Sequence, residues 1–397
     1  MVKVGDPVER ARTLLRLRRP ADAERELRGL LAQEPEHLSG HALLALALVE
    51  QRRVAEAVAE AEESVRLAPD HWFSHYAGAQ VYYRARDADR AMAAVRTTLD
   101  LEPQYAPAWE LLARVHMLKG EWPLMAGAAR QGLSIDPEDT DLVSLLALAH
   151  VNQGEAEPAR AAAAHAVRLD PESPTAHFVH GRVSLRFGEA RQAADAFREV
   201  LRLDPGYGVA RDLLVAALKQ GNPLYRWLSR LRGRFAGGWR LLFLLPVVPP
   251  LVAVFIVLAV LHWVAWVAEA WTTLRLARGK ATGLLFEGTA ARVAAGCLAL
   301  VVVGAALLAA GVAFGHEALG TAGVAAMALV TPVQEAAHTG APRRRTVLYV
   351  WSALLALTMA TGAVFAQPAV PLLAGYAALA TVWLATAVRG RLATDGL

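Results

Sequence analysis

The residues able to do chemistry fall into three sets. His37 and His41 stand four apart, as do His71 and His75, and such a pair can face one metal ion from one side of a helix. Both pairs recur at the same offset of an internal repeat with no third ligand beside them, so a shared scaffold slot accounts for them better than a metal. His316-Glu317 begins the His-Glu-x-x-His string that binds zinc, but Gly320 stands where the second histidine is required. His262, Glu269, Glu287, Glu335 and His338 lie in or beside long apolar runs, where ionisable groups are expensive and are functional candidates by default. Most of them fall near the ends of those runs, within reach of water; only His262 and Glu269 are expected to be deep. No Gly-rich phosphate loop with its lysine and no Gly-x-Ser-x-Gly string occurs, and the single Cys297 excludes an internal disulfide or a thiolate cluster. The sequence therefore offers no catalytic set, no cofactor site and no metal site, and it does not read as an enzyme.

A repeat must position whatever surface remains. Pro35, Pro69, Pro103, Pro137, Pro171 and Pro205 stand 34 residues apart without a slip. Twelve residues before each proline come Ala23, Ala57, Ala91, Met125, Ala159 and Ala193. Twenty-four before come Ala11, Ala45, Ala79, Ala113, Ala147 and Gly181. Small residues at two fixed offsets are what two closely approaching helices need. Seventeen before the proline stand Arg18, Arg52, Arg86, Gly120, Gly154 and Gly188, where a turn between helices favours glycine. Leu67, Leu101, Ile135, Leu169 and Leu203 close the second helices, and proline then stops them.

This pattern resembles the tetratricopeptide repeat, a helix–turn–helix unit of 34 residues that stacks into a superhelix. The likeness spans six repeats, at about 4–37, 38–71, 72–105, 106–139, 140–173 and 174–207, with a cap helix at 208–220. Trp109 occupies the family's tryptophan site, where His41, His75 and His177 stand in other repeats, and Phe197 alone fills the aromatic site of a second helix. The resemblance implies an all-α solenoid whose first helices line a concave protein-binding groove. Carried onto this chain, the groove positions are Phe73, Tyr76, Gln80, Tyr83 and Arg84, then Glu110, Arg114 and Met117, then Asn152, and finally Phe178, Arg182 and Arg186. Aromatic residues and arginine are favoured at binding hot spots, although Tyr and Phe at these places also serve to pack repeats together. The carboxylate clamp of chaperone-binding members is unmatched, since Leu46, Gln80, Arg114, Leu148 and Arg182 fill its asparagine slot.

Composition divides the chain. Residues 1–222 carry 27 Lys and Arg against 32 Asp and Glu, net −5; residues 223–397 carry 14 against 5, net +9. The mildly acidic repeats are no nucleic-acid surface. Arginine outnumbers lysine 37 to 4, a usage that points to a GC-rich bacterial genome. The second part holds apolar runs at 239–271, 292–314, 317–334, 346–366 and 368–388, and a bilayer core needs about 20 helical residues. The reading is a solenoid over 1–221, a basic amphipathic helix over 222–238 and a multi-pass transmembrane domain over 239–397. Arg226, Trp227, Arg230 and Arg234 of the middle segment suit an anionic membrane surface, and Asn222 to Trp227 resembles bacterial membrane-anchored tetratricopeptide proteins.

Topology follows from the basic residues. If every run crosses, 9 of the 14 fall outside; if 239–271 returns to its own side as a hairpin broken by Pro246, Pro249 and Pro250, all 14 fall inside. The first twenty residues show no secretory signal. Repeats and C-terminus are accordingly expected in the cytoplasm, at the inner membrane. Trp263, Trp266 and Trp271 are expected at an interface, and Gly311 with Gly315, echoed by Ala322 and Ala326, is expected to pack helices within the chain or in a homo-oligomer. The implied partners are a protein in the groove and membrane lipids; the implied role is a membrane-anchored scaffold. Transport of a small solute or lipid by the second part, regulated by the repeats, is the alternative.

Overall fold

The computed structural model describes residues 6–221, 250–277, 289–339 and 342–390, and every described element is a helix. The juxtamembrane segment with Arg226, Trp227, Arg230 and Arg234, the first arm of the expected hairpin, and Glu287 lie outside the described residues. Two compact units divide the chain, Met1–Ala210 and Arg211–Leu397.

In the first unit, helices come in pairs joined by short turns: α1 (Pro7–Arg16) with α2 (Pro20–Gln33), α3 (Leu38–Glu50) with α4 (Val54–Leu67), and α5 (Trp72–Arg84) with α6 (Ala88–Leu101). They continue as α7 (Ala106–Lys119) with α8 (Trp122–Ile135), α9 (Thr140–Gln153) with α10 (Ala156–Leu169), and α11 (Pro174–Arg186) with α12 (Ala190–Leu203). The small residues lie where each pair meets: Ala11, Ala45, Ala79, Ala113 and Ala147, and opposite them Ala23, Ala57, Ala91, Met125, Ala159 and Ala193, are wholly buried. In the sixth repeat the partner is larger. Phe197 is wholly buried, and a Cβ added to Gly181 would lie 2.7 Å from its ring. Glycine and phenylalanine are thus one complementary pair, and the aromatic fits because its neighbour has no side chain.

Turns and linkers carry their own signatures. Gly120, Gly154 and Gly188 have φ of 72, 79 and 87°, and Arg18, Arg52 and Arg86 hold the same left-handed conformation at 58, 62 and 61°. In this region an L side chain costs about 1–2 kcal/mol, so the arginine turns are strained where the glycine turns are not. The imidazole Nε2 of His41, His75 and His177 donates to the carbonyl of Pro35, Pro69 and Pro171 at 2.8, 2.6 and 2.9 Å. Trp109 Nε1 donates likewise to Pro103 at 2.9 Å. Histidine substitutes for tryptophan because both present a ring N–H at that reach. His37 caps α3, its Nδ1 accepting from the Gly40 amide at 3.0 Å, which is a structural duty rather than a metal ligand's.

Adjacent repeats are also tied by charge. Glu24 of the first repeat accepts from Arg28 at 2.8 Å, from Gln51 at 2.9 Å and from Arg53 at 2.7 Å. These donors, Arg28 foremost, pull its carboxyl from 4.5 down to about 2.

Beyond α13 (Gly208–Gln220), the second unit contains α14 (Pro250–Ala277), α15 (Thr289–Phe314), α16 (Glu317–Ala328), α17 (Val330–Ala337), α18 (Pro342–Val364) and α19 (Ala369–Gly390). Two stretches, Ala290–Phe314 and Arg345–Val364, are long and apolar enough to cross a membrane. Their large side chains face outward: Val312 and Phe314 are each 76% exposed and Val364 80%. α14 runs uninterrupted for 28 residues, about 42 Å at 1.5 Å per residue. The run at 317–334 differs from its expectation. It is not one helix but breaks at Leu329, because Pro332 has no N–H to continue the ladder.

The expected Gly311–Gly315 packing pair is also corrected. Gly315 is a left-handed turn residue at φ 68°. Gly311 instead meets Gly320, and Gly304 meets Gly323, so closely that an added Cβ would stand 2.4 and 2.6 Å from backbone. These glycines bring α15 and α16 together within the chain.

Two outcomes test these contacts. Gly181→Ala is expected to cost about 1–3 kcal/mol by overpacking, measured by urea unfolding. Most of that loss should vanish in a Phe197→Leu background, and an equal loss in both backgrounds would remove the pairing. Glu24 has a folded pKa below its unfolded value, so its stabilisation is full above about 4.5 and is lost as pH falls toward about 2. Glu24→Gln should flatten the acid limb of the stability curve in that window.

Candidate functional site

Two groups of side chains are built by these elements, one in each unit. In the first unit, the sequence-derived groove residues fall at offsets of 7, 11, 14 and 15 from the repeat proline, which is one face of the first helix, apart from Phe73 at its start. The structure sorts them. Tyr76 packs edge-on against Tyr105 with ring centroids 5.0 Å apart and lies against the buried core, and that burial raises its phenol pKa. Phe73, Tyr83 and Met117 also pack against core clusters. For these residues the packing role is realised. Arg84 bonds Glu50, the same offset one repeat earlier, at 2.9 Å. Arg114 bonds Glu110 at 2.6 Å and lies 3.6 Å from Asp141. Burial of the Glu110 carboxylate outweighs the attraction of Arg114 and raises its pKa above the usual carboxylate range. Gln80 is half-buried, and Asn152 donates to the Leu148 carbonyl of its own helix at 2.8 Å.

The sixth repeat is different. Phe178 packs against Tyr207 with centroids 5.1 Å apart, and neither Arg182 nor Arg186 has a carboxylate partner among the described residues. Arg182 acts electrostatically on the Tyr207 of this aromatic pair, and Arg186 lies one turn further along the same helix. Sequence reasoning missed Arg12, whose guanidinium lies 5.6 Å over the Phe73 ring. Its signal was present, since Arg12 precedes Leu46 by one repeat and so occupies the same slot as Arg114 and Arg182.

In the second unit, Glu335, read as lying near water, is instead buried, as is Glu269, whereas His338 is exposed. Glu269 and Glu335 are only 3% and 2% exposed. Glu269 accepts from Lys219 at 3.2 Å and from His338 Nε2 at 2.9 Å, and His262 Nε2 lies 3.3 Å from Glu335. The break at Leu329 makes this possible. It lets α17 pack against α14, and Trp263 Nε1 donates to the Met327 carbonyl at 2.7 Å just before the break. Trp266, expected at an interface, is buried between His262 and His338, and of the three tryptophans only Trp271 is mostly exposed. The arrangement is two acid–base groups, Lys219–Glu269–His338 and His262–Glu335, drawn from α13, α14 and α17 and set on either side of Trp266, a pairing the sequence did not reveal.

A row of helix pairs with wholly buried small residues at a fixed period defines the class as an α-solenoid of helix–turn–helix repeats. The particular family is the tetratricopeptide repeat (TPR), which matches residues 8–71, 76–140 and 144–208; this chain is a tetratricopeptide-repeat protein through that half. Among solved structures, the Cut9–Hcn1 hetero-tetramer of the APC/C is similar with 14% identity, covering 57% of this chain and 45% of that one at a TM-score of 0.50. A thermophilic TPR protein of Thermus thermophilus shares 17% identity over 46% of this chain and 98% of its own, at a TM-score of 0.42. YrrB, described as a TPR protein with an unusual peptide-binding site, shares 15% over 46% and 95%, at 0.37. At these identities the likeness concerns fold alone. No curated protein matches the sequence.

The two kinds of stripe residue separate by stability. Tyr76→Ala is expected to cost about 3 kcal/mol, whereas Arg182→Ala should stay within about 0.5 kcal/mol, both read from chemical unfolding. A costly Arg182→Ala would mean that this side chain is structural.

Proposed function

We propose that the chain is a membrane-anchored adaptor that captures a protein partner on the first-helix face of its repeats. TPR repeats act as protein-interaction scaffolds. The observation that carries the reading is the sixth-repeat patch, where Arg182 and Arg186 lack carboxylate partners among the described residues and share a helix face with Phe178, which packs against Tyr207. Such a surface suits a segment bearing an acidic group next to an apolar one. Phe73, Tyr76, Gln80, Tyr83, Arg84, Glu110, Arg114, Met117 and Asn152 complete the groove, several of them by shaping it from the packed side. Anchoring is supported by the outward apolar faces of α15 and α18. The basic residues flanking the apolar runs favour repeats and C-terminus on the cytoplasmic face of the inner membrane.

A second reading is favoured by one observation. Lys219, Glu269 and His338, and separately His262 and Glu335, form acid–base groups around two buried carboxylates among apolar helices, as proton- or solute-handling membrane domains require. In that case the repeats would regulate the second unit.

Affinity purification of the full chain in mild detergent, with mass spectrometry, tests the first reading. A protein retained by the wild type should be lost from an Arg182→Ala, Arg186→Ala chain of unchanged helicity, and retention by that variant would refute capture at this patch. In cell fractionation the chain should stay with membranes after alkaline carbonate washing.

A further inference from the structure

A cleft of about 360 Å³ opens in the second unit among α13, α14, α15, α17 and α18. Lys219, His338 and Arg345 stand on its rim, and Val293, Ala294 and Ala337 line its apolar part. The charge balance of the rim is positive. The buried Glu269, which does not line the cleft, is already engaged by Lys219 and by His338 Nε2. His338 Nδ1 faces the Gln334 carbonyl at 2.9 Å. Lys219 is thus held by Glu269, while the Arg345 guanidinium faces the cleft with no carboxylate paired to it among the described residues.

The cleft also has a direction. α18 leaves the rim through Thr346 and Tyr349 and presents Val347, Val350, Leu354 and Leu357, between 51% and 66% exposed. A cationic cleft at the head of an outward apolar helix face has the two-part chemistry of an amphiphile. Basic pockets between membrane helices hold anionic head groups by this combination. Guanidinium matches a phosphate through paired N–H donors, while the small side chains of α15 leave room for the head group.

We propose that this cleft binds the phosphate group of an anionic amphiphile, with a phospholipid head group as the source that the adjoining apolar face favours. The lipid source rests on the membrane reading given above; the phosphate site does not.

The test uses the full chain in nonionic detergent, with native mass spectrometry of retained phosphatidylglycerol and phosphatidylcholine and with inorganic phosphate as competitor. Phosphatidylglycerol should be retained in preference to phosphatidylcholine. Lys219→Gln leaves Glu269 buried with a partner missing and endangers the fold, so Arg345→Gln, outside that ion pair, carries the test. It should lower phosphatidylglycerol retention about fivefold, while Arg343→Gln in the same helical turn leaves it unchanged. Equal retention by wild type and Arg345→Gln would overturn the proposal. Displacement by inorganic phosphate at the lipid's own effective concentration would sustain the phosphate site and overturn the lipid source. Carbonate extraction run alongside separates the two readings. A chain released from membranes that still binds phosphate through Arg345 defeats only the anchoring, and a chain that stays in membranes without an Arg345 effect defeats only the cleft.

Discussion

Close approach of two helices at a side chain no larger than a methyl group is the contact on which the repeat unit depends. Ala11 to Ala147 at one offset and Ala23 to Ala193 at the other are without solvent exposure, Met125 being the one large member. Interaxial separations of helices follow the residues at the crossing, so a larger side chain there would displace the whole second helix and every repeat stacked on it. Gly181 opposite Phe197 obeys the same constraint from the other side: volume added to one helix is removed from its neighbour. The second unit takes it to the limit, with Gly304 and Gly311 of α15 meeting Gly323 and Gly320 of α16 backbone to backbone.

The linkers between repeats hold this register. Each second helix ends two residues before its proline, and the carbonyl of that proline is taken up by a ring N–H from the next first helix in four of the repeats. The donor slot accepts histidine or tryptophan because both present a ring N–H at the same reach. Glu50 and Arg84, one period apart, show a charged version of the same logic.

The repeat architecture was legible because it is local and periodic: proline, two small positions and a turn residue recur within one helical pair. Offsets alone placed most of the stripe on one helix face, and Arg12 could have been found by extending the slot one repeat back. What the offsets lacked was the neighbour. That Tyr76 is consumed by Tyr105, or Arg114 by Glu110, depends on how far one repeat rotates against the next. The acid–base set of the second unit was hidden for a stronger reason. Glu269 was expected to be deep, but Glu335, 66 residues on, is buried where Pro332 breaks a helix that hydropathy reads as continuous. Composition can mark an ionisable residue in an apolar run, but it does not say which helix folds back to meet it.

The left-handed turns divide the solenoid into halves of unlike resilience. In a stacked array, stability is a sum of unit terms and nearest-neighbour couplings. Arg18, Arg52 and Arg86 subtract about 1–2 kcal/mol from each of the first three units, while Gly120, Gly154 and Gly188 spare the last three. Transient opening is therefore weighted toward the first three repeats. The array has a yielding end and a firm end, and Arg182 and Arg186 of the sixth repeat belong to the firm one, where a bound segment would meet a surface already in its final shape.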